Sequence, residues 1–191
     1  MPAAARRLPY LEALARSGLM EALAPFDPHV AGTPPLGLDV PGSDIDVLCE
    51  VDEGWAFTQA IWAHAGEFDS FIIRQWTGET RPIVASFEAC GWPIEIFGDP
   101  RPVVRQPGWR HFTVERRLLA LGGEGFRAAV MAQRHRGLKT EPAFAVTLGL
   151  DGDPYLTLLE LDARSDSHLL RRLKDCGFAG IVSGEQKCGD E

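Results

Sequence analysis

The sequence predicts an α+β protein: a small mixed or antiparallel sheet with flanking helices, followed by a C-terminal helical region. Three observations carry this. Residues 44–97 hold four strand-length runs of alternating or continuous apolar residues, and beyond Pro107 the apolar spacing becomes helical. Glycine or proline punctuates almost every change between segments, so strands and helices are segregated along the chain. At 191 residues, 45% hydrophobic and 24% charged, the chain has the size of one domain or of one domain with a helical appendage.

Residues 9–24 (PYLEALARSGLMEALA) space their apolar side chains as two short helices broken near Ser17-Gly18, with Pro25 and Pro28 ending them. His29 to Thr33 is a short apolar run closed by Gly32. The following PPLGLDVPGS (34–43) is dense in proline and glycine and reads as a loop, with little chance of a helix. Asp44 to Val51 alternates as a strand. Residues 54–66 fit a helix that offers Trp55, Phe57, Ile61 and Trp62 to the core. Phe71–Trp76 and Pro82–Ala89 read as strands, and Cys90-Gly91 turns the chain into another, Trp92–Phe97. Five helices are then expected over 111–121, 124–136, 142–148, 154–163 and 167–176, separated by Gly122-Gly123, Gly137 and Asp151-Gly152. The expected organisation is a core over 1–107, a helical region over 108–182 packed on it, and a polar tail over 183–191.

Composition excludes several classes. No run approaches the roughly 18 apolar residues that cross a bilayer, and the amphipathic N-terminus lacks a signal peptide's apolar centre. Cys49, Cys90, Cys176 and Cys188 contain no CxxC pair, which speaks against a zinc site or a disulfide framework and for a reduced, cytoplasmic protein. The net charge is −8, from 19 basic and 27 acidic side chains. It is unevenly spread: residues 1–100 hold 5 Lys/Arg against 15 Asp/Glu, whereas residues 101–150 hold 9 against 3. An acidic chain lacks the broad basic face of a duplex-DNA binder. Acidic and basic blocks side by side suit a site in which carboxylates hold a divalent metal and basic side chains hold phosphate, although solvated helix faces produce the same asymmetry.

The residues that carry chemistry lie in Val30-Ala31-Gly32-Thr33 and, ten residues on, Asp44-Ile45-Asp46-Val47. On a strand Asp44 and Asp46 share one face, about 7 Å apart, and can converge on one or two divalent ions while Ile45 and Val47 anchor the other face. Gly32 permits close backbone approach to phosphate, and the Thr33 hydroxyl and amide can donate to it. Glu95 is the lone acid in Pro93–Phe97. If strands 82–89 and 92–97 pair, it lies within a sheet, where an acid is costly without a cation or donor. Glu88 is its rival, nearer a strand end. Ser43 can serve a phosphate or simply form a Gly-Ser turn before the strand.

The order of a Gly-Thr turn, about ten residues, D-h-D-h and a later acid in an apolar strand resembles the DNA polymerase beta-like nucleotidyltransferase superfamily. The runs GTPPLGLDVPGSDIDVLCEV, PIEIFGDP, RHFTVERRLLALGGEGFR and RGLKTEPAFAVTLGLDGDPY resemble, more narrowly, a bacterial domain family of unknown function placed in that superfamily. The resemblance covers about residues 9–161. It implies a nucleotidyltransferase-like sheet, Asp44, Asp46 and Glu95 as catalytic and Mg²⁺ (or Mn²⁺) ligands, and the turn at Gly32-Thr33 as a nucleoside triphosphate contact. Transfer of a nucleoside monophosphate to a hydroxyl acceptor follows, the acceptor being a small molecule, an RNA end or a protein. The chain departs from the superfamily after Thr33: residues 34–42 contain no Arg or Lys to clamp phosphates. That departure leaves open an inactive nucleotide- or metal-binding or regulatory module of the same fold.

In the basic segment Lys139, in a loop ahead of a helix, is the preferred phosphate contact, against a plain solvated lysine. Arg134, His135 and Arg136 suit a helix C-terminus. The five tryptophans are expected mostly in the core, with Trp76 and Trp109 near loops where a base can stack. No Ser-His-Asp or Cys-His nucleophile arrangement is legible in the spacing.

Overall fold

The computed structural model describes residues 7–178 and has strands over the four runs read as strands, β2 (Ile45–Glu50), β3 (Asp69–Gln75), β4 (Ile83–Ala89) and β5 (Trp92–Asp99), with a further short strand, β1 (His29–Ala31), in the apolar run before Gly32. The expected tail from Ser183 and the thiol of Cys188 fall outside the described residues. The chain divides into two compact units, one running to Phe112 and the other from Thr113.

In the first unit the strands form one mixed sheet in the order β1-β2-β5-β4-β3. Only the β2–β5 pair is parallel among the four neighbouring pairs. A parallel pair needs a long crossover, here through α4 (Gly54–Ala65), β3 and β4. The β4–β5 hairpin closes through Cys90 (φ 54°) and Gly91 (φ 79°), whose left-handed backbone matches the twist of antiparallel strands. This hairpin lays β5 in the middle of the sheet.

One face of the sheet is apolar. Ile45, Val47, Cys49, Ala85, Phe87, Ile94 and Ile96 are buried there with residues of α1 (Tyr10–Ser17), α2 (Leu19–Ala22) and α4. Fully burying a side chain such as Ile or Phe contributes about 1.5–3 kcal/mol, which fixes which way each strand faces. Gly18 (φ 65°) breaks α1 from α2, as the sequence predicts. Arg7 fastens the loop before β2: its guanidinium donates to the carbonyls of Val40 and Ser43 and lies 3.3 Å from the centre of the Trp92 ring.

Two expectations for this unit are corrected. Residues 34–43 are not all loop, because Thr33–Leu36 form a short helix, α3. Pro34 and Pro35 sit in its first turn, where a missing N–H costs nothing and the fixed φ is already helical. The tryptophans are not mostly core. Phe57, Ile61 and Ala65 form the stripe of α4 that faces the sheet, which leaves Trp55 (75% exposed) and Trp62 outside it. Trp76 is exposed as well, while Trp92 is buried and donates its indole N–H to the Leu8 carbonyl at 2.6 Å.

The second unit is helical. The stretch α5 (Pro107–His135), whose residues from Thr113 belong to this unit, is two helices broken at Gly123, whose φ of 64° and ψ of −165° only glycine adopts readily. It is followed by α6 (Thr140–Thr147), α7 (Pro154–Asp162) and α8 (Asp166–Asp175). Phe126 packs edge-on against Phe144 and Phe178 in its interior. The Arg117 fork joins the start of α8 by donating to Asp166 and to the carbonyls of Asp162 and Arg164. Among the described residues no helix is long and apolar enough to cross a membrane.

Candidate functional site

The sheet face opposite the apolar core carries the expected site acids. Asp46 on β2 is the direct neighbour of Glu95 on β5 through the parallel register, and Glu95 in turn faces Ser86 on β4. Neighbouring strands lie about 4.8 Å apart, so the two acids leave the same face side by side. Glu88 pairs instead with Pro93 near the hairpin end, away from that register. Asp46 and Glu95 are both half-buried. Asp44 is exposed and stands one residue before β2 begins, where alternation brings it to the side of Asp46.

The turn after β1 is shaped by its neighbour. Ala31 pairs with Asp46, and the chain then leaves the sheet at Gly32 with φ 76° and ψ −164°. A Cβ at Gly32 would collide with the Asp46 carboxylate, whose Cγ lies 3.1 Å from that position. Glycine is therefore required twice here, by backbone conformation and by the carboxylate pressed against it. Thr33 is 7% exposed, and its hydroxyl is buried without a hydrogen-bond partner among the described residues. A buried orphan hydroxyl is costly, and here it lies one residue from the glycine that touches Asp46.

Sequence reasoning missed Arg74. Its Nη2 lies 3.6 Å from Glu95 Oε2, so a side chain on β3 crosses β4 to reach the middle strand. The pair is loose and wet, with Arg74 47% and Glu95 40% exposed. A signal was present: Arg74 is the only Lys or Arg in the five strands, just as Glu95 is the lone acid of residues 93–97. Trp76 shares the Arg74 face and meets the Phe97 ring edge-on, with centroids 5.7 Å apart.

The remaining expected residues lie elsewhere than in the Asp46–Glu95 pair. Ser43 is buried; its hydroxyl accepts the Val40 amide at 2.9 Å, and so it works inside the turn before β2. Trp109 packs its ring against His29 and Phe112. Lys139 belongs to the second unit, where it is exposed at the N-cap of α6.

Oxygen donors on rigid strands are what a hard divalent cation such as Mg²⁺ takes. Asp46 beside Glu95, with the Gly32 cradle and the orphan Thr33 hydroxyl, fits a metal–phosphate site in donor chemistry. The expected triad is not preassembled, however. Among the described residues no group of three or more His, Cys, Asp or Glu stands ready to hold a metal ion, and Glu95 is turned to Arg74.

Comparison with known proteins bears on fold and family. No similar sequence was found among the curated proteins. Among solved structures, the chain resembles the GLD-2/RNP-8 complex with a TM-score of 0.50 at 9% identity, covering 87% of this chain and 74% of that one. A cytoplasmic RNA terminal U-transferase gives 0.49 at 12% identity, with 78% of this chain and 44% of that one covered. The Cid1 poly(U) polymerase bound to MgATP gives 0.48 at 12%, with 78% and 47% covered. The chain thus spans less than half the length of these last two. At such identities the likeness is one of fold alone, a mixed five-stranded sheet with flanking helices. Residues 12–161 match the domain of unknown function DUF4269, most of the chain, and the protein belongs to that family.

Proposed function

We infer that the open face of the sheet binds a nucleoside triphosphate with Mg²⁺ or Mn²⁺ and transfers its nucleoside monophosphate to a hydroxyl acceptor. The observation that carries this is the Asp46–Glu95 register pair with Asp46 pressed against Gly32. Asp44, Asp46 and Glu95 would hold the metal. A bound divalent ion supplies charge neutralisation on the phosphates and on the attacking and leaving oxygens. The chain's own part is binding and positioning. Gly32 lets backbone amides approach phosphate, and the Thr33 hydroxyl beside it would donate to the same group. Glu95 accepts the acceptor's proton as its oxygen bonds to the α-phosphorus; the bond to the β-phosphate oxygen breaks, and pyrophosphate leaves.

The acceptor is a small molecule, an RNA end or a protein hydroxyl. Incubation with the four triphosphates labelled at the α-phosphate, with Mg²⁺ or Mn²⁺ and cell extract, is expected to place label on one acceptor class. Absence of labelling and of pyrophosphate release across metals, nucleotides and extracts contradicts turnover.

A second reading has its own support. No basic residue follows Thr33 before Ser43, and the three acids are not gathered. A nucleotide- or metal-binding module without turnover would bind triphosphate and release no pyrophosphate. Steady pyrophosphate release with any acceptor rules it out.

A further inference from the structure

The segment after Thr33 offers no cation to a bound triphosphate, since residues 34–42 are Pro, Leu, Gly, Asp and Val only. Three or four phosphate charges at a site rich in carboxylates need more positive charge than one metal ion supplies. The only Lys or Arg on the sheet is Arg74, and it already reaches across β4 to the carboxylate beside Asp46. We propose that Arg74 is the phosphate-binding residue of this site: its guanidinium, which meets Glu95 in this structure, moves to the terminal phosphates of a nucleoside triphosphate and releases Glu95 for metal.

Three features favour the exchange. The Arg74–Glu95 contact is a 3.6 Å approach with both side chains nearly half-exposed, a pair cheaply given up. Guanidinium presents a planar fork matched to phosphate oxygens, so its contact with phosphate is stronger than its present one. Arg74 also stands beside the carboxylate that neighbours Asp46 in the β2–β5 register, within the candidate metal–phosphate site. Arg74 is then a switch between two partners, and metal and triphosphate arrive cooperatively because each frees what the other needs.

The proposal rests on the metal–triphosphate reading above, and calorimetry on the full chain separates the two. The probes are Mn²⁺ alone and the Mn²⁺ complex of inorganic tripolyphosphate. Arg74→Gln is expected to weaken tripolyphosphate binding about tenfold or more while Mn²⁺ alone binds as well as, or a few-fold better than, in the wild type. Arg74→Lys should recover part of the loss, since it keeps the charge without the fork. Unchanged tripolyphosphate affinity in Arg74→Gln overturns the assignment. So does an equal loss of Mn²⁺ and tripolyphosphate binding, which would make Arg74 a support of the acids instead. Asp46→Asn tests the underlying reading alone: Mn²⁺ affinity equal to wild type there removes the metal site whatever Arg74 does.

Discussion

Strand β5 carries two carboxylates on one side, Glu95 in the middle and Asp99 at the end, and the molecule treats them in opposite ways. Asp99 is fully buried and accepts four hydrogen bonds, from Thr80 Oγ1, the Arg101 amide, and Arg101 Nε and Nη2, all at 2.7–2.9 Å. Its own carbonyl takes the Val51 amide, and Gln106 next to it ties the Cys49 and Arg101 carbonyls together. Glu95 is 40% exposed, with Arg74 only loosely against it. A carboxylate saturated with short donors has no capacity left for a ligand and serves the fold. A carboxylate on an open face with an exchangeable partner is available for one. The same parallel β2–β5 register that aligns Glu50 with Asp99 aligns Asp46 with Glu95, so the two acids share a backbone setting and differ in burial.

The largest expected effect is at the structural acid. Asp99→Asn leaves buried donors of Thr80 and Arg101 poorly matched and should cost about 2–3 kcal/mol in chemical denaturation, somewhat moderated because Arg101 is partly solvated. Glu95→Gln should change stability by less than about 1 kcal/mol. Equal losses at the two positions would break the contrast. The pH dependence follows the same division. Burial acts to raise the Asp99 pKa, but hydrogen bonds from Arg101 and Thr80 outweigh it and hold the carboxyl below its ordinary 3.8. Its stabilisation is therefore present above that value and lost as pH falls through the lower folded value. The stability gap between wild type and Asp99→Asn should stay constant from neutral pH to about 5 and shrink below about 4.

Next in size is Gly32→Ala. A methyl group there meets the Asp46 carboxylate on a backbone that L-residues avoid, so a loss of about 1–3 kcal/mol is expected together with weaker Mn²⁺ binding. Stability and Mn²⁺ affinity both at wild-type values would show that Gly32 does not shape the site. The smallest effect sharpens the contrast between sealed and open groups at two thiols. Cys49, pushed up to about 12 by burial and secondarily by Asp27, should resist iodoacetamide at pH about 8, while half-buried Cys90 in the hairpin turn reacts first. Mass spectrometry after brief labelling reads the order, and labelling of Cys49 ahead of Cys90 would contradict it.

Local features of the fold were legible in the sequence because local physics sets them. Alternation marked β2, β4 and β5, Gly18 and Gly123 marked helix breaks, and Cys90-Gly91 marked the hairpin that carries Glu95 inward. The D-h-D spacing and the Gly-Thr turn pointed to Asp46 and Gly32 without any tertiary information. What stayed hidden depends on packing between distant segments. The parallel β2–β5 register, which makes Glu95 rather than Glu88 the neighbour of Asp46, is a crossover that no local pattern encodes. Arg74 reaches Glu95 across an intervening strand, so its role shows only once the strand order is known. The helix at Thr33–Leu36 was masked by prolines that break a helix interior but suit its first turn.

Calorimetric titration of nucleoside triphosphate into the full chain, with Mg²⁺ and then with EDTA, tests most directly whether the open face of the sheet is a metal–nucleotide site. Binding is expected with Mg²⁺, falling at least about tenfold with EDTA and in Asp44→Asn/Asp46→Asn at unchanged melting temperature. Equal affinity with EDTA, or in that double variant, would contradict it.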